Sequence, residues 1–115
     1  MNELIQSIFS DFAVGGVKIP VRFLKYEGHE TQYVIYSQVD ADNSLSADDE
    51  LQNYVMYYDF DVFSKGNYFP IIDAITEKLT QNGFVWQPSR SSKDMYEADT
   101  GYYHRTLNFA KIRKE

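Results

Sequence analysis

The sequence contains no cysteine, which excludes disulfides and thiolate metal sites outright. No apolar run approaches the roughly 20 residues that a membrane span requires. No signal-peptide pattern is visible either. The expectation is a soluble protein made in the cytosol, with no membrane partner. There is no glycine-rich phosphate loop and no Gly-x-Ser-x-Gly elbow. His29 and His104 are the only histidines. With no acid motif beside them in sequence, they suggest neither a zinc site nor a nucleophile–base pair. Nothing in the sequence asks for catalysis, so the expectation is a protein that is not an enzyme and needs no metal or cofactor.

Bases are missing where acids gather. Asp40, Asp42, Asp48, Asp49 and Glu50 stand with no lysine or arginine between residues 40 and 50. The segment from Tyr102 onward has the opposite sign, with Arg105, Lys111, Arg113 and Lys114 against Glu115. The net charge of −6 argues against general nucleic-acid binding, because phosphate neutralisation supplies most of that affinity. A chain of 115 residues supports one domain with one core, spanning 1–115.

Aromatic residues are abundant. They make up 17% of the chain, ten of them tyrosine, which suits a small sheet protein and also suits contact surfaces. Many lie in the stretch from Tyr54 to Gly83, around which the rest of the chain is organised. Tyr54, Met56, Tyr58, Phe60 and Val62 fall on one side of an extended chain, and Val55, Tyr57, Asp59, Asp61 and Phe63 on the other. This reads as a central strand with its even-numbered face on the core. The period then becomes helical, with Tyr68, Ile71, Ile72, Ile75 and Leu79 on one stripe. Asn67 is the expected N-cap, Pro70 sits in the first turn, and Gly83 ends the helix at C′. Tyr58, Phe60, Ile75 and Leu79 are the expected contact between strand and helix.

Before this stretch, residues 3–13 place Leu4, Ile5, Ile8, Phe9 and Phe12 on one face of an amphipathic helix of about three turns. Val17–Tyr26 alternates as a strand, with Pro20 arguing for an edge position or a late start. Thr31–Val39 alternates again, and the turn chemistry of residues 27–30 predicts a hairpin between the two. Residues 40–50 read as a polar loop. After Gly83 come a short strand (residues 84–87), a second polar loop (residues 89–98) and a last strand over Gly101–Ile112, with Tyr103, Leu107 and Phe109 inward. The two polar segments, 40–50 and 88–98, are expected to be the least ordered parts of the chain. The order α-β-β-β-α-β-β predicts an α+β domain: a mainly antiparallel or mixed sheet of about five strands with two helices packed on one face.

Two local motifs fail on inspection. Asp99-Thr100-Gly101 matches the aspartic-protease tripeptide, but it follows Tyr96-Glu97-Ala98 instead of an apolar strand, and reads as turn chemistry. Asp40, Asp42 and Ser44 have the first spacings of a calcium loop. Leu45 then stands where glycine is required and Leu51 where glutamate is required, so that signature breaks down.

Three segments carry a resemblance: Tyr57–Tyr68 (YYDFDVFSKGNY), Gly83–Ser92 (GFVWQPSRSS) and Tyr96–Arg105 (YEADTGYYHR). Together, at their spacing, they resemble a family of small proteins of tailed phages and prophages described as minor capsid or tail-completion proteins. The likeness runs from about Val17 onward. That family is similar in layout to the tail terminators of long-tailed phages, which are α+β proteins that form a six-fold ring. The resemblance implies a structural virion protein of the neck or tail, assembled in the bacterial cytoplasm. It would complete the tail tube and join it to the head. The implied partners are the chain itself in a homo-hexameric ring, the tail-tube protein and the head-connector protein, with DNA only as passing cargo. The expected subunit contact sets Asp48, Asp49 and Glu50 of one copy against Arg105, Lys111 and Arg113 of the next. The alternative is a small acidic host-directed binding or inhibitor module encoded by a prophage.

Overall fold

The computed structural model describes residues 2–28, 30–43 and 53–114. Among these, α1 spans Asn2–Ile8, followed by β1 (Ala13–Val14), β2 (Val17–Lys18), β3 (Val21–Phe23), β4 (Gln32–Asn43) and β5 (Asn53–Ser64). Then come α2 (Phe69–Gln81), β6 (Val85–Trp86), a 3-10 turn (Pro88–Arg90), β7 (Met95–Glu97) and β8 (Tyr102–Lys114). β1 and β2 form a small hairpin of their own, and the other strands make one mixed six-stranded sheet in the order β3-β4-β5-β8-β6, with β7 also on β8. The α+β class holds, with both helices contributing to a single core.

The central strand behaves as its alternation requires. Met56, Tyr58, Phe60 and Val62 are buried, and β5 lies between β4 and β8, antiparallel to both. Ile71, Ile72, Ile75 and Leu79 of α2 are buried in the same cluster. The helix stops by a Schellman motif. Gly83, at φ 86°, donates to the Thr80 carbonyl (3.2 Å) and Phe84 to the Leu79 carbonyl (2.9 Å), while Phe84 and Leu79 join the core. Only glycine takes that left-handed position cheaply. At the other end, Tyr68 and not Asn67 holds the N-cap position. Asn67 still contributes, its Oδ1 accepting from the Phe69 amide at 3.1 Å.

The N-terminal third differs from expectation. α1 ends at Ile8 instead of continuing to residue 13. Tight turns carry the chain onward, with Phe12 donating to the Phe9 carbonyl at 3.3 Å. Both rings still reach the core, edge to face at 5.1 Å. Spacing alone could not separate a helix from turns that bury the same residues. Leu4, expected inside, is exposed. The two-residue turn Gly15-Gly16, with φ of 60° and 80°, closes the β1–β2 hairpin, a geometry that needs positive φ at both positions.

The expected strand over Val17–Tyr26 is therefore two pieces, broken at Ile19–Pro20. Its second piece, β3, is an edge strand starting after Pro20, but it runs parallel to β4, not as a hairpin. Leu24, at φ 69°, turns the chain away at the end of β3. Because β3 and β4 are parallel, the turn-type residues between them served a crossover. β4 also continues past Val39 to Asn43, with a register shift between Gln38 and Asp40. Residues 40–43 thus belong to a strand, and 44–50 lie outside the described residues.

Strand and helix lengths fix the shape. Twelve strand residues reach about 40 Å, whereas the thirteen residues of α2 reach about 20 Å. The molecule measures 50 × 27 × 23 Å, with β4, β5 and β8 along its length.

Candidate assembly surface

The helices cover one face of the sheet. On the other, the register lines up rows of residues from β4, β5 and β8. Tyr33, Phe63 and His104 form one row, Ile35, Asp61 and Thr106 the next, then Ser37, Asp59 and Asn108. In the first row Tyr33 stacks on Phe63 (4.8 Å, 15°), Phe63 on His104 (4.2 Å, 13°), and Tyr26 extends the stack from the far side of Tyr33 (4.5 Å, 25°). Tyr102 meets Tyr33 and Phe63 edge-on. Because these rings stack on one another across the strands, their faces are used up within the molecule. What they present outward is edges and polar tips, suited to contact with another protein surface.

The middle rows are mostly polar, and both of their carboxylates accept hydrogen bonds from β8. Thr106 donates to Asp61 at 2.5 Å, and the Asn108 side chain donates to Asp59 at 2.7 Å. Asn108 is only 1% exposed. Burial pushes the Asp59 carboxyl above its ordinary range; its hydrogen bond from Asn108 opposes this, Asp61 reinforces it and Arg90 opposes it. The Arg90 guanidinium lies 3.8 Å from the Tyr57 ring centroid, a cation–π contact. His104 stands 3.6 Å from both Asp61 and Glu97, a separation that allows attraction to the protonated ring but not a good hydrogen bond. Among the described residues, no group of three or more histidine, aspartate or glutamate side chains could hold a metal ion.

Beyond these rows the face turns apolar. Val55, Tyr57, Val85, Ala110 and Ile112, with Gly83 and Lys111, line a cavity of about 520 Å³. Val85 and Ile112 are each about three-fifths exposed. A second groove of about 540 Å³ runs along α2 on the helix side, between Phe69, Ile72 and Thr76 and the side chains of Trp86, Arg105 and Leu107.

The segment from 88 to 98, expected to be an open loop, is docked. Ser92 donates to the Thr106 carbonyl (3.0 Å), and Ser91 Oγ accepts from the Trp86 indole (3.1 Å) and the Asn108 amide (2.9 Å). β7 then pairs with the start of β8. Serines that pin a chain edge look the same in sequence as serines that fill a loop. Asp99-Thr100-Gly101 lies in the β7–β8 turn, where Gly101 (φ 77°) donates to the Glu97 carbonyl at 2.8 Å.

The three bases expected at a subunit contact stand apart along β8. Asp48, Asp49 and Glu50 lie outside the described residues. Arg105 is directed to the helix side, 3.8 Å from Asp94, whose carboxylate in turn accepts from the Tyr68 hydroxyl. Burial, followed by that bond and the charge of Asp94, pushes Tyr68 well above the usual tyrosine range; Arg105 opposes this. Lys111 lies over the Phe84 ring at 5.4 Å, and Arg113 stands opposite Tyr54. Lys111 lies six positions beyond Arg105 along the strand, about 20 Å. Tyr103, expected inward, is 45% exposed and packs against Tyr96 at the sheet's end. Asp59, Asp61 and Asn108 were missed as a unit, although their alternation with Tyr58, Phe60 and Phe109 already placed them opposite the core. No protein-family model matches the chain, and no curated protein matches it.

Proposed function

We propose that this chain is a structural protein of the neck or tail of a phage or prophage particle, working through protein–protein contacts and not through chemistry. In this reading it forms a ring, homo-hexameric by the tail-terminator likeness, that completes the tail tube and joins it to the head. Its partners are further copies of itself, the tail-tube protein and the head-connector protein, and DNA is only cargo. It resides in the virion after assembly in the bacterial cytoplasm. The observation that carries the proposal is a sheet covered by helices on one face only. The uncovered face holds polar rows whose carboxylates are hydrogen-bonded within the molecule, beside the exposed apolar residues Val85 and Ile112, the composition of a contact surface. The three-segment resemblance supplies the identity of the assembly.

The test is assembly itself. Purified chain, alone and mixed with preformed tubes of a phage tail-tube protein, is followed by sedimentation and negative-stain microscopy. Rings, or capping of tube ends, are expected. A lasting monomer that ignores tube ends would overturn the reading and favour a host-directed binding module.

A further inference from the structure

The groove along α2 holds an arginine that the rest of the chain satisfies poorly. Arg105 enters it from β8 with 23% of its side chain exposed. Its Nε is buried and donates to nothing among the described residues, which is uncommon for an enclosed polar group. The carboxylate it meets, Asp94, stands 3.8 Å away, too far for a good hydrogen bond. That carboxylate already accepts from the Tyr68 hydroxyl. The remaining lining is largely apolar. Ile72 and Leu107 are its buried members, and Phe69 and Trp86 are its exposed aromatic ones. Trp86 is fixed in place, because its indole donates to Ser91 Oγ, which itself accepts from the Asn108 amide and donates to the Gln87 carbonyl. This side of the groove is therefore formed before anything binds.

We propose that this groove binds an aliphatic carboxylic acid, its carboxylate on the Arg105 guanidinium and its chain lying along α2 toward Trp86. Shape and charge together select that ligand. The α2 residues of the lining run from Phe69 to Gln81, about 18 Å along the helix. Arg105 lies at the Phe69 end, since its neighbour Asp94 is bonded to Tyr68. Trp86 pairs with Phe109, four strand positions beyond Arg105 and about 13 Å away. A cation at one end and hydrocarbon along the remaining length match an acid head and an apolar tail. The guanidinium fork can take both oxygens of a carboxylate, and a volume of about 540 Å³ is that of a small-molecule site. Asp73 and Glu77 also border the groove, but both are exposed, where water and salt weaken their field. They oppose an anion along the middle of the groove and so confine the head group to the end at Arg105. The site lies on the opposite side of the sheet from the polar rows and does not require ring formation.

Calorimetric titration of the full chain with decanoate, combined with amide chemical shifts, tests the site. Saturable one-to-one binding is expected, with shifts concentrated at residues 69–81, 86 and 105–107. Decanol, which keeps the chain and lacks the charge, should bind about tenfold more weakly, the loss of a charge-assisted contact. That comparison needs no variant. Arg105→Gln should weaken decanoate by a similar factor and leave decanol unchanged. Thr76→Trp fills the groove from α2 without removing Arg105 and should abolish binding of both compounds. A circular-dichroism spectrum unchanged from the original chain confirms that each variant folds. Absence of saturable binding by the original chain would overturn the site. So would binding that both folded variants retain, with shifts spread over the exposed apolar residues of the two faces, since that is adsorption only. Equal affinity for decanoate and decanol would overturn the pairing of a carboxylate with Arg105. Each of these failures leaves the ring reading intact.

Discussion

The two faces of the sheet are built from the same strands yet do different work. Phe60 and Phe63 lie three residues apart on β5, one against the helices and one in the uncovered aromatic row. Phe60 is fully buried and touches rings from Phe9, Tyr36 and Phe109. Phe63 is half-buried between Tyr33 and His104. Period-two alternation assigns them to opposite sides, and only one side receives helices. Stability is therefore concentrated on the covered face. The other is free to carry carboxylates and exposed apolar groups, because little folding energy depends on it.

The comparison breaks if the two faces respond alike to truncation. Phe60→Ala should cost about 3–5 kcal/mol, and Leu79→Ala about 2–5 kcal/mol, the range for emptying a closed core site. Phe63→Ala should cost about 0.5–1.5 kcal/mol, the worth of its ring contacts. Urea unfolding of the three variants measures this. Equal losses at Phe60 and Phe63 would mean that the open face is a second core.

Asn108 sharpens the contrast, since it is a buried polar residue on the side without helices. Asn108→Ala removes the donor to Asp59 and should cost about 1–3 kcal/mol. A neutral outcome by the same measurement would mean that water serves Asp59 equally well.

The next effect is one of pH. Burial raises Asp59 in the folded chain, so the folded state holds this proton more tightly than the unfolded state does. The stabilising contribution is full below the unfolded carboxyl value of about 4 and is lost as pH rises through the folded value. Asp59→Asn should remove that loss and flatten the profile of stability from about pH 4 toward neutral. Urea midpoints across this window decide it, and an unchanged profile would show that Asp59 is solvated.

Smallest is the effect of the acidic segment. Reversing Asp48, Asp49 and Glu50 to lysine should leave the stability of the isolated chain within about 0.5 kcal/mol, while weakening assembly at low salt if these acids meet Arg105, Lys111 or Arg113 of a neighbour. Charges farther apart than about 10 Å are screened at 0.1 M salt, so light scattering across a salt series reports this. Unaltered assembly at low salt would remove the acids from the contact.

The sequence was most readable where one pattern had one structural solution. The even face of β5, the stripe of α2 and the glycine stop at Gly83 followed from periodicity and capping alone. It was least readable where the same residues serve two geometries. Phe9 and Phe12 bury equally well from a helix or from turns. The Lys25–Thr31 segment suits a hairpin turn as well as the crossover it makes, and Ser91 and Ser92 look like loop until their hydroxyls are seen against β8. The placement of the basic residues of β8 was hidden for a related reason. Arg105 and Lys111 carry the same sign and alternate in phase, but strand length holds them apart, and Asp94 engages the first of them.

The central claim is that this protein functions through the parts of the sheet that its helices leave uncovered. Amide hydrogen exchange on the full chain, compared between the dilute and the assembled states, tests it most directly. Protection gained at residues 85–86 and 110–112, with α2 unchanged, is the expected result. Protection gained along α2 instead, with those residues exchanging as in the dilute state, would contradict it.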